Sequence, residues 1–542
     1  MKFVHYILPF LTALLLYASF HPLNLPVLAW VALVPLIIFI IRERKWWRAF
    51  LVSYLVGYIY FATSFYWLRY TVPVGPFLIP IYLALYFAVF ALAVRFVVIG
   101  RRLPLVAAVP LVWTLLEFVR SFLLTGLPYF YLAHTQYSFF TLIQITDVTG
   151  IYGVSFIVAF ANGLIAHAIM LSSEVEMAKV KSNVQLRVGV VALAIMLAVS
   201  IVYGFLRLNS LDIKDGPEIA IVQANIPQEL KRFAARRGSE EVQMELDEIY
   251  QKHLVLTEKV TGKPDLVVWS ETMFPYPLIY QSRKGKFYND WQHLHYSKLI
   301  TPSAKSGVRF LIGCEVGEPP DKWYEGGEIR WSECNTYNSA VYIDPQEGAI
   351  GRYYKIHLVP FGEYIPLRNS IPFIDKLIKD YSELPSVPRL EAGRSTEIFD
   401  LNGKKFGILI CYESIFPELV REIRRKGGDF AVNISNDGWY KDSSELDQML
   451  AITAFRAIEN RIGIVRATNT GISAFISPTG DISAMLTDAE GKIKEVEGVL
   501  RRRVAISSDN SLYSKFGDIF IYILLTALVV IIVASFIRGK KV

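Results

Sequence analysis

The sequence predicts a multi-span α-helical membrane domain joined to an α/β layered domain. Three observations predict this. Of 542 residues, 53% are hydrophobic and the mean hydropathy is +0.35, too apolar for an ordinary soluble enzyme. Apolar runs of bilayer-crossing length, about 20 residues, fill the first 207 positions and recur near the end. Between them, over 208–515, short β-type runs alternate with charged, amphipathic stretches.

Eight candidate spans lie at residues 4–20, 25–41, 50–68, 76–98, 104–124, 150–171, 187–206 and 516–537. The first is read as retained, because Lys2 precedes an apolar run but no small-residue cleavage site follows it. Lys2, Arg42, Arg44, Lys45, Arg48, Arg95, Arg101 and Arg102 fall on one side of the membrane. Lys179, Lys181, Arg187, Arg538, Lys540 and Lys541 fall on that same side. The opposite connections hold only Arg69. Positive charge stays in the cytoplasm, so both termini are expected inside and residues 208–515 outside. In a bacterium with two membranes, that is the periplasmic face of the inner membrane. The expected domains are a seven-helix membrane domain, 1–207, a catalytic domain, 208–515, and a last span with a short cytoplasmic tail, 516–542. Much of the formal net charge of +7 flanks these spans, which argues against nucleic acid as a partner.

Within the fifth span Glu117 and Arg120 share a helix face and are spaced to pair. They read either as a structural pair near a helix end or as a contact to a lipid headgroup or the soluble part. Segment 125–149, rich in Tyr and Phe, suits an interfacial re-entrant loop.

In the α/β part, strands are expected at 218–225, 265–269, 308–313, 339–343, 406–411, 430–434, 464–467 and 472–476. Helices are expected at 238–260, 417–426 and 444–461. Turn signals such as Asn436-Asp-Gly438 and Pro478-Thr-Gly480 separate them. No Walker loop or dinucleotide fingerprint occurs, and three cysteines make neither a disulfide framework nor a zinc site.

The chemistry-bearing residues sit at strand ends, where α/β sheets collect ligands. Cys411 ends the apolar run Ile408-Leu-Ile and precedes the helical stretch from Glu418. A helix N-terminus would favour its thiolate and expose the sulfur, whereas the plain alternative is an inert core cysteine. Glu271 follows Asp265-Leu-Val-Val-Trp-Ser, and Lys355 precedes Glu363 by eight residues. Convergence of these groups would place a base, a nucleophile and an oxyanion-stabilising cation together. Each has an ordinary reading too: surface acids for Glu271 and Glu363, a solvated lysine for Lys355, a helix-start acid for Glu413. Cys314, Cys334 and His357 read as structural.

Glu271, Lys355 and Cys411, in this order, resemble the Glu-Lys-Cys triad of the nitrilase superfamily. Lys355-Ile-His-Leu-Val-Pro-Phe-Gly-Glu363 and Cys411-Tyr-Glu-Ser, with the flanking spans, resemble the apolipoprotein N-acyltransferase family over nearly the whole chain. Gln223-Ala-Asn-Ile-Pro-Gln228, Asn433-Ile-Ser-Asn-Asp-Gly-Trp439 and Arg466-Ala-Thr-Asn-Thr-Gly471 are similar to that family's strand-end segments. Trp113-x-x-x-Glu117-x-x-Arg120 and Gly150-Ile-Tyr-Gly-Val-Ser155 are similar to its membrane part. The resemblance implies a four-layer αββα sandwich and Glu363, Tyr412 and Glu413 as site supports, Tyr412 through its backbone N–H. It implies transfer of an sn-1 acyl chain from a glycerophospholipid, through a thioester on Cys411, to the N-terminal amine of a diacylglyceryl-cysteine apolipoprotein. No cofactor or metal is implied, and a monomer is expected.

The chain departs from the family pattern twice: Ser270 stands where Pro is usual before the base, and Lys231-Arg232-Phe233 occupies a region that often holds Trp. Aromatic segments 274–280 and 287–291 either pack within the domain or form a mobile arm that gates acyl entry. Competing functions are a membrane-tethered amidase, using water on the same triad, and a lipoprotein-binding membrane protein without catalysis.

Overall fold

The computed structural model describes residues 2–174, 183–228, 239–279, 290–319, 331, 334–365 and 390–539. The chain divides into two compact units, 1–211 with 510–542, and 212–509.

In the first unit, every apolar run of the sequence contains helix. Among the described residues, three helices are long and apolar enough to cross a membrane: Gly75–Gly100, Tyr152–Ser172 and Val184–Ser210. The earlier runs are broken, as at Leu11–Ser19 and Val34–Arg42, because Pro9, Pro26 and Pro35 remove donors where a longer helix would need them. Segment 125–149 folds into short helical turns whose centre, Tyr129–Gln136, is buried. Glu117 and Arg120 do not pair with each other among the described contacts. Both hold that segment instead. Glu117 Oε1 accepts from Leu132 N–H at 2.8 Å and Trp113 Nε1–H at 2.9 Å. Arg120 Nη2 donates to the Tyr129 carbonyl at 2.9 Å and also to that of Phe130. At this depth the freed loop carbonyls need donors, and the arginine supplies them.

The second unit is built on two six-stranded sheets, ordered β12-β1-β2-β3-β4-β5 and β11-β10-β9-β8-β7-β6. The first sheet runs β1 (Ile213–Gln223), β2 (Leu266–Ile279), β3 (Arg309–Glu318), β4 (Asn335–Asp344), β5 (Gly348–Tyr354) and β12 (Gly498–Ser507). The second runs β6 (Ile398–Leu401), β7 (Lys404–Ile410), β8 (Phe430–Ser435), β9 (Gly463–Thr468), β10 (Ala474–Ile476) and β11 (Ile482–Met485). Each sheet has three parallel central strands flanked by antiparallel ones. Parallel neighbours need a crossover. Helices Ser239–Glu258 and Asp290–Ser306 supply it in the first sheet, Pro417–Arg425 and Ser444–Asn460 in the second.

Strand alternation sorts the side chains into layers. Ile219, Ile221, Val268, Leu311 and Tyr342 face Phe406, Ile408, Phe430, Val432 and Val465 in one core between the sheets. The intervening Ala220, Val222, Val267, Trp269 and Phe310 pack beneath Ile249, Tyr250, Leu256 and Leu299 of the first two helices. A Cβ on Gly407 would lie 2.5 Å from Ile423, so helix Pro417–Arg425 lies directly on β7. The result is the expected four-layer αββα order.

Some expectations need correction. Strands β5, β6, β11 and β12 and helix Asp290–Ser306 were not legible. They are edge strands or carry Arg501-Arg-Arg503, which hides the alternation. β2 does not stop at Trp269 but continues to Ile279, with Phe274 and Tyr276 buried. Residues 274–279 therefore pack within the domain rather than forming an arm. Residues 280–289 and Lys231-Arg232-Phe233 lie outside the described residues.

Close approach of the two sheets has a direct test. A Cβ on Gly463 would stand 1.9 Å from the Ala505 carbonyl. Gly463→Ala is expected to lower stability by about 1–3 kcal/mol, read as a lower melting temperature in detergent. Gly403→Ala, with nothing within 4 Å of the added carbon, is expected to cost only about 1 kcal/mol for its positive φ.

Candidate active site

The parallel strands of both sheets end at one rim, where the sheets are stitched together. Asn225 N–H donates to the Asn469 carbonyl at 3.1 Å, and the Asn469 side chain brackets Ile226 through its N–H and its carbonyl, both at 2.8 Å. Gln223 Nε2 donates to the Val496 carbonyl at 2.8 Å.

Glu271 reaches this rim through an irregularity in β2. Trp269 pairs with Ile312 and Phe274 with Cys314, so five steps on one strand span two on its neighbour. The extra residues bulge out, with Thr272 at φ 54°. Gly313 permits it: a Cβ there would lie 2.4 Å from the Ser270 carbonyl and 2.7 Å from Glu271 Cα. Ser270 keeps the strand path despite replacing the usual proline, and its hydroxyl is buried. Lys355 follows β5, and its N–H donates to the Asn338 carbonyl on β4 at 2.9 Å. Glu363 stands on the tight turn after it, where Phe361 N–H bonds the Tyr364 carbonyl at 2.7 Å.

These residues form one buried cluster. Lys355 Nζ donates to Glu363 Oε1 at 2.8 Å and Glu271 Oε1 at 3.3 Å. Asn338 Nδ2 donates to the same two oxygens at 2.8 and 2.7 Å. Glu271 Oε2 accepts from Asn436 N–H, across the two sheets, at 2.7 Å. Burial opposes charge on both central groups. Even so, Lys355, Asn338 and Asn436 N–H hold the Glu271 carboxyl below its ordinary range. Glu363 and Glu271 in turn hold the Lys355 ammonium above its own.

Cys411 lies at the end of β7 with φ 53° and is 7% exposed. Of the two readings of this sulfur, exposed at a helix N-terminus or buried in the core, the structure shows the buried one. A short turn, Cys411–Ile415, intervenes, and the helix begins only at Pro417. Burial raises the thiol pKa well above its ordinary value, and the Glu271 carboxylate raises it further, while Lys355 pulls it down. The resting sulfur is therefore a neutral thiol beside an ionised base.

Glu413, fully buried, anchors the Cys411 turn. Its Oε1 accepts from Ile356 N–H at 2.6 Å and His357 N–H at 3.1 Å, its Oε2 from Ile410 N–H at 2.7 Å, and the Tyr353 hydroxyl donates to it at 2.8 Å. It thus ties the cysteine turn to the lysine turn. The Tyr412 ring packs edge-on against Phe416 at 5.0 Å, and His357 stacks on that same ring at 4.2 Å. Cys314 is buried in β3, away from these contacts. Asn338, Tyr353 and Asn436 were missed by sequence reasoning. Asn338 had one available signal, a polar residue adjoining an apolar strand run and opposite the lysine turn.

Comparison with known proteins now adds to this geometry. Residues 12–164 match the family model described as the apolipoprotein N-acyltransferase N-terminal domain, and residues 218–497 match that described as carbon-nitrogen hydrolase. An apolipoprotein N-acyltransferase of Geobacter metallireducens is 34% identical over 553 residues, covering 98% of this chain and 95% of that protein. One of Rickettsia prowazekii is 29% identical over 518 residues, covering 92% and 91%. Among solved structures, Saccharomyces cerevisiae Nit3, a member of branch 10 of the nitrilase superfamily, is similar with a TM-score of 0.35 and 17% identity, covering 56% of this chain and 94% of that one. With a relative above 30% identity along nearly its whole length and both parts matched by family models, the chain belongs to the apolipoprotein N-acyltransferase family.

Proposed function

We propose that this protein moves an acyl chain from a membrane glycerophospholipid to the N-terminal α-amino group of a diacylglyceryl-cysteine apolipoprotein, through a thioester on Cys411. The observation that carries this reading is the buried Cys411 thiol interacting with the Glu271–Lys355 cluster in a member of this family. Glu271 is the base, and hydrogen-bond capacity selects its reacting atom. Oε1 already accepts from Asn338 and Lys355, whereas among the described residues Oε2 accepts only from Asn436 N–H, which leaves it the greater acceptor capacity there. Oε2 takes the thiol proton as sulfur attacks the ester carbonyl. The Lys355 ammonium and the Tyr412 N–H stabilise the oxyanion. Collapse expels the lysophospholipid alkoxide, which takes the proton from Glu271. The amine then attacks the thioester, Glu271 accepts its proton, and the thiolate leaves and takes that proton from Glu271, which restores the resting thiol and carboxylate. Glu363 keeps the lysine charged and in place, and Glu413 holds the cysteine turn.

The wider setting follows from the charge pattern. Eight spans with both termini in the cytoplasm would put residues 208–515 on the outer, periplasmic side of a bacterial inner membrane, where diacylated lipoproteins and phospholipid meet. All triad residues come from one chain, which supports action as a monomer. An amidase would use the same triad with water, but the match of residues 12–164 to an acyltransferase domain favours the lipid reaction.

Incubation with phosphatidylethanolamine alone is expected to add one acyl mass to the Cys411 peptide. Cys411→Ala should carry no adduct and transfer nothing; an adduct elsewhere, or transfer by that variant, would overturn the proposal. Glu271→Gln is expected to slow acyl-enzyme formation by about 10²–10⁴-fold, measured by quenched-flow mass spectrometry. Glu413 makes a pH prediction. Burial pushes its carboxyl from 4.5 up to about 7. The folded protein then holds this proton over a window in which the unfolded chain has released it, so stability falls as pH rises from about 4.5 to 7. Glu413→Gln should flatten that slope in melting curves taken across the window.

A further inference from the structure

The parallel register of β7 on β8 sets Ile410 beside Ile434, so the next residues, Cys411 and Ser435, lie side by side at the rim. The Ser435 hydroxyl donates to Asp437 Oδ1, and a hydrogen bond from it to the neighbouring sulfur would pull the Cys411 thiol pKa down. Asp437 Oδ2 accepts from Arg466 Nη2 at 2.8 Å, and Arg466 Nη1 donates to Asn433 Oδ1 at 2.6 Å. Ser435, Asp437, Arg466 and Asn433 are all at 0% exposure. Room for the Asp437 carboxylate depends on Gly471, where a Cβ would stand 2.0 Å from Oδ2. Between Ser435 and Asp437, the Asn436 N–H carries the Glu271 carboxylate. One three-residue loop thus meets both the sulfur and the base.

A serine hydroxyl has a single hydrogen to give. In the resting site that hydrogen goes to Asp437. When the S–H bond breaks, a buried thiolate needs donors, and Ser435 is a neighbour that can supply one. We propose that Ser435 is a further catalytic residue, whose hydroxyl turns from Asp437 to donate to the Cys411 sulfur as the thiol proton passes to Glu271. The Ser435 O–H bond is not broken; only its hydrogen bond changes acceptor. The Asp437–Arg466 pair is the positioning element that holds the hydroxyl within reach of the sulfur and takes the hydrogen bond back. This rests on Cys411 as the nucleophile.

The charged and titratable groups facing the sulfur are Glu271 from β2, Lys355 after β5, Asp437 after β8 and Tyr440 of the same loop. Glu271 and Asp437 disfavour the thiolate, while Lys355 and Ser435 favour it. Neighbouring variants should therefore move the sulfur in opposite directions. The test is the pH profile of iodoacetamide alkylation at Cys411 in the full-length protein in detergent, resolved by mass spectrometry with Cys314 and Cys334 as references. Ser435→Ala is expected to shift the profile about one unit alkaline, a roughly tenfold slower reaction at fixed pH. Its kcat should fall about as much, with KM for phospholipid unchanged. Asp437→Asn is expected to shift the profile toward acid pH. A Ser435→Ala profile that is unmoved or acid-shifted overturns the proposal. If Ser435→Ala shows no melting transition, Asp437→Asn decides alone: an acid shift supports the proposal, and no shift or an alkaline one overturns it. Alkylation needs no acyl transfer, so failure of the thioester reading would leave this readout intact.

Discussion

Everything at the rim depends on one buried ammonium shared by two carboxylates. Lys355 lies between Glu271 and Glu363, and Asn338 donates to both acids from the neighbouring strand. A lone charge at 1% exposure would be driven neutral, but here the pairing and the added hydrogen bonds keep Lys355 and Glu271 ionised. At Cys411, burial and the Glu271 carboxylate outweigh the Lys355 ammonium. The sulfur is consequently held as a thiol.

The fold serves this cluster by bringing the strand ends of two sheets together. Glu271 comes from β2 and Lys355 from the end of β5 in one sheet, and Cys411 from β7 in the other. The Asn436 N–H on Glu271 and the Glu413 carboxylate on the Ile356 and His357 N–H groups are the ties across the gap. Backbone at these points is unusual where it must be: positive φ at Cys411 and Thr272, and glycine at 313 and 471 where a side chain would collide. Such positions concentrate near the chemistry, as expected if the surrounding layers hold them in place.

Much of this was legible in the sequence. Glu271 and Cys411 each close an apolar run of strand type, and Lys355 and Glu363 sit in a motif specific enough to name a family before any coordinates. The four layers followed from that resemblance; the alternation of β runs with helices pointed only to an α/β layered domain. What was not legible has physical reasons. Asn338 adjoins an apolar run, and only pairing with β5 brings it to the lysine. β12 carries three consecutive arginines, and its strand character comes from pairing with β1. The helix-dipole reading of the sulfur fails because it needs the helix to begin at the cysteine, and it begins six residues later, at Pro417. Burial at Cys411 is set by residues distant in sequence, which no local pattern reveals.

The central claim is that a neutral thiol becomes an acyl carrier by giving its proton to Glu271. The most direct measurement is the stoichiometry of lysophospholipid released when enzyme meets phospholipid with no lipoprotein acceptor. The account predicts a burst of one lysophospholipid per chain followed by a halt, with release resuming when acceptor peptide is added. Release that begins only with acceptor present, or that continues without it, would contradict a thioester held on Cys411.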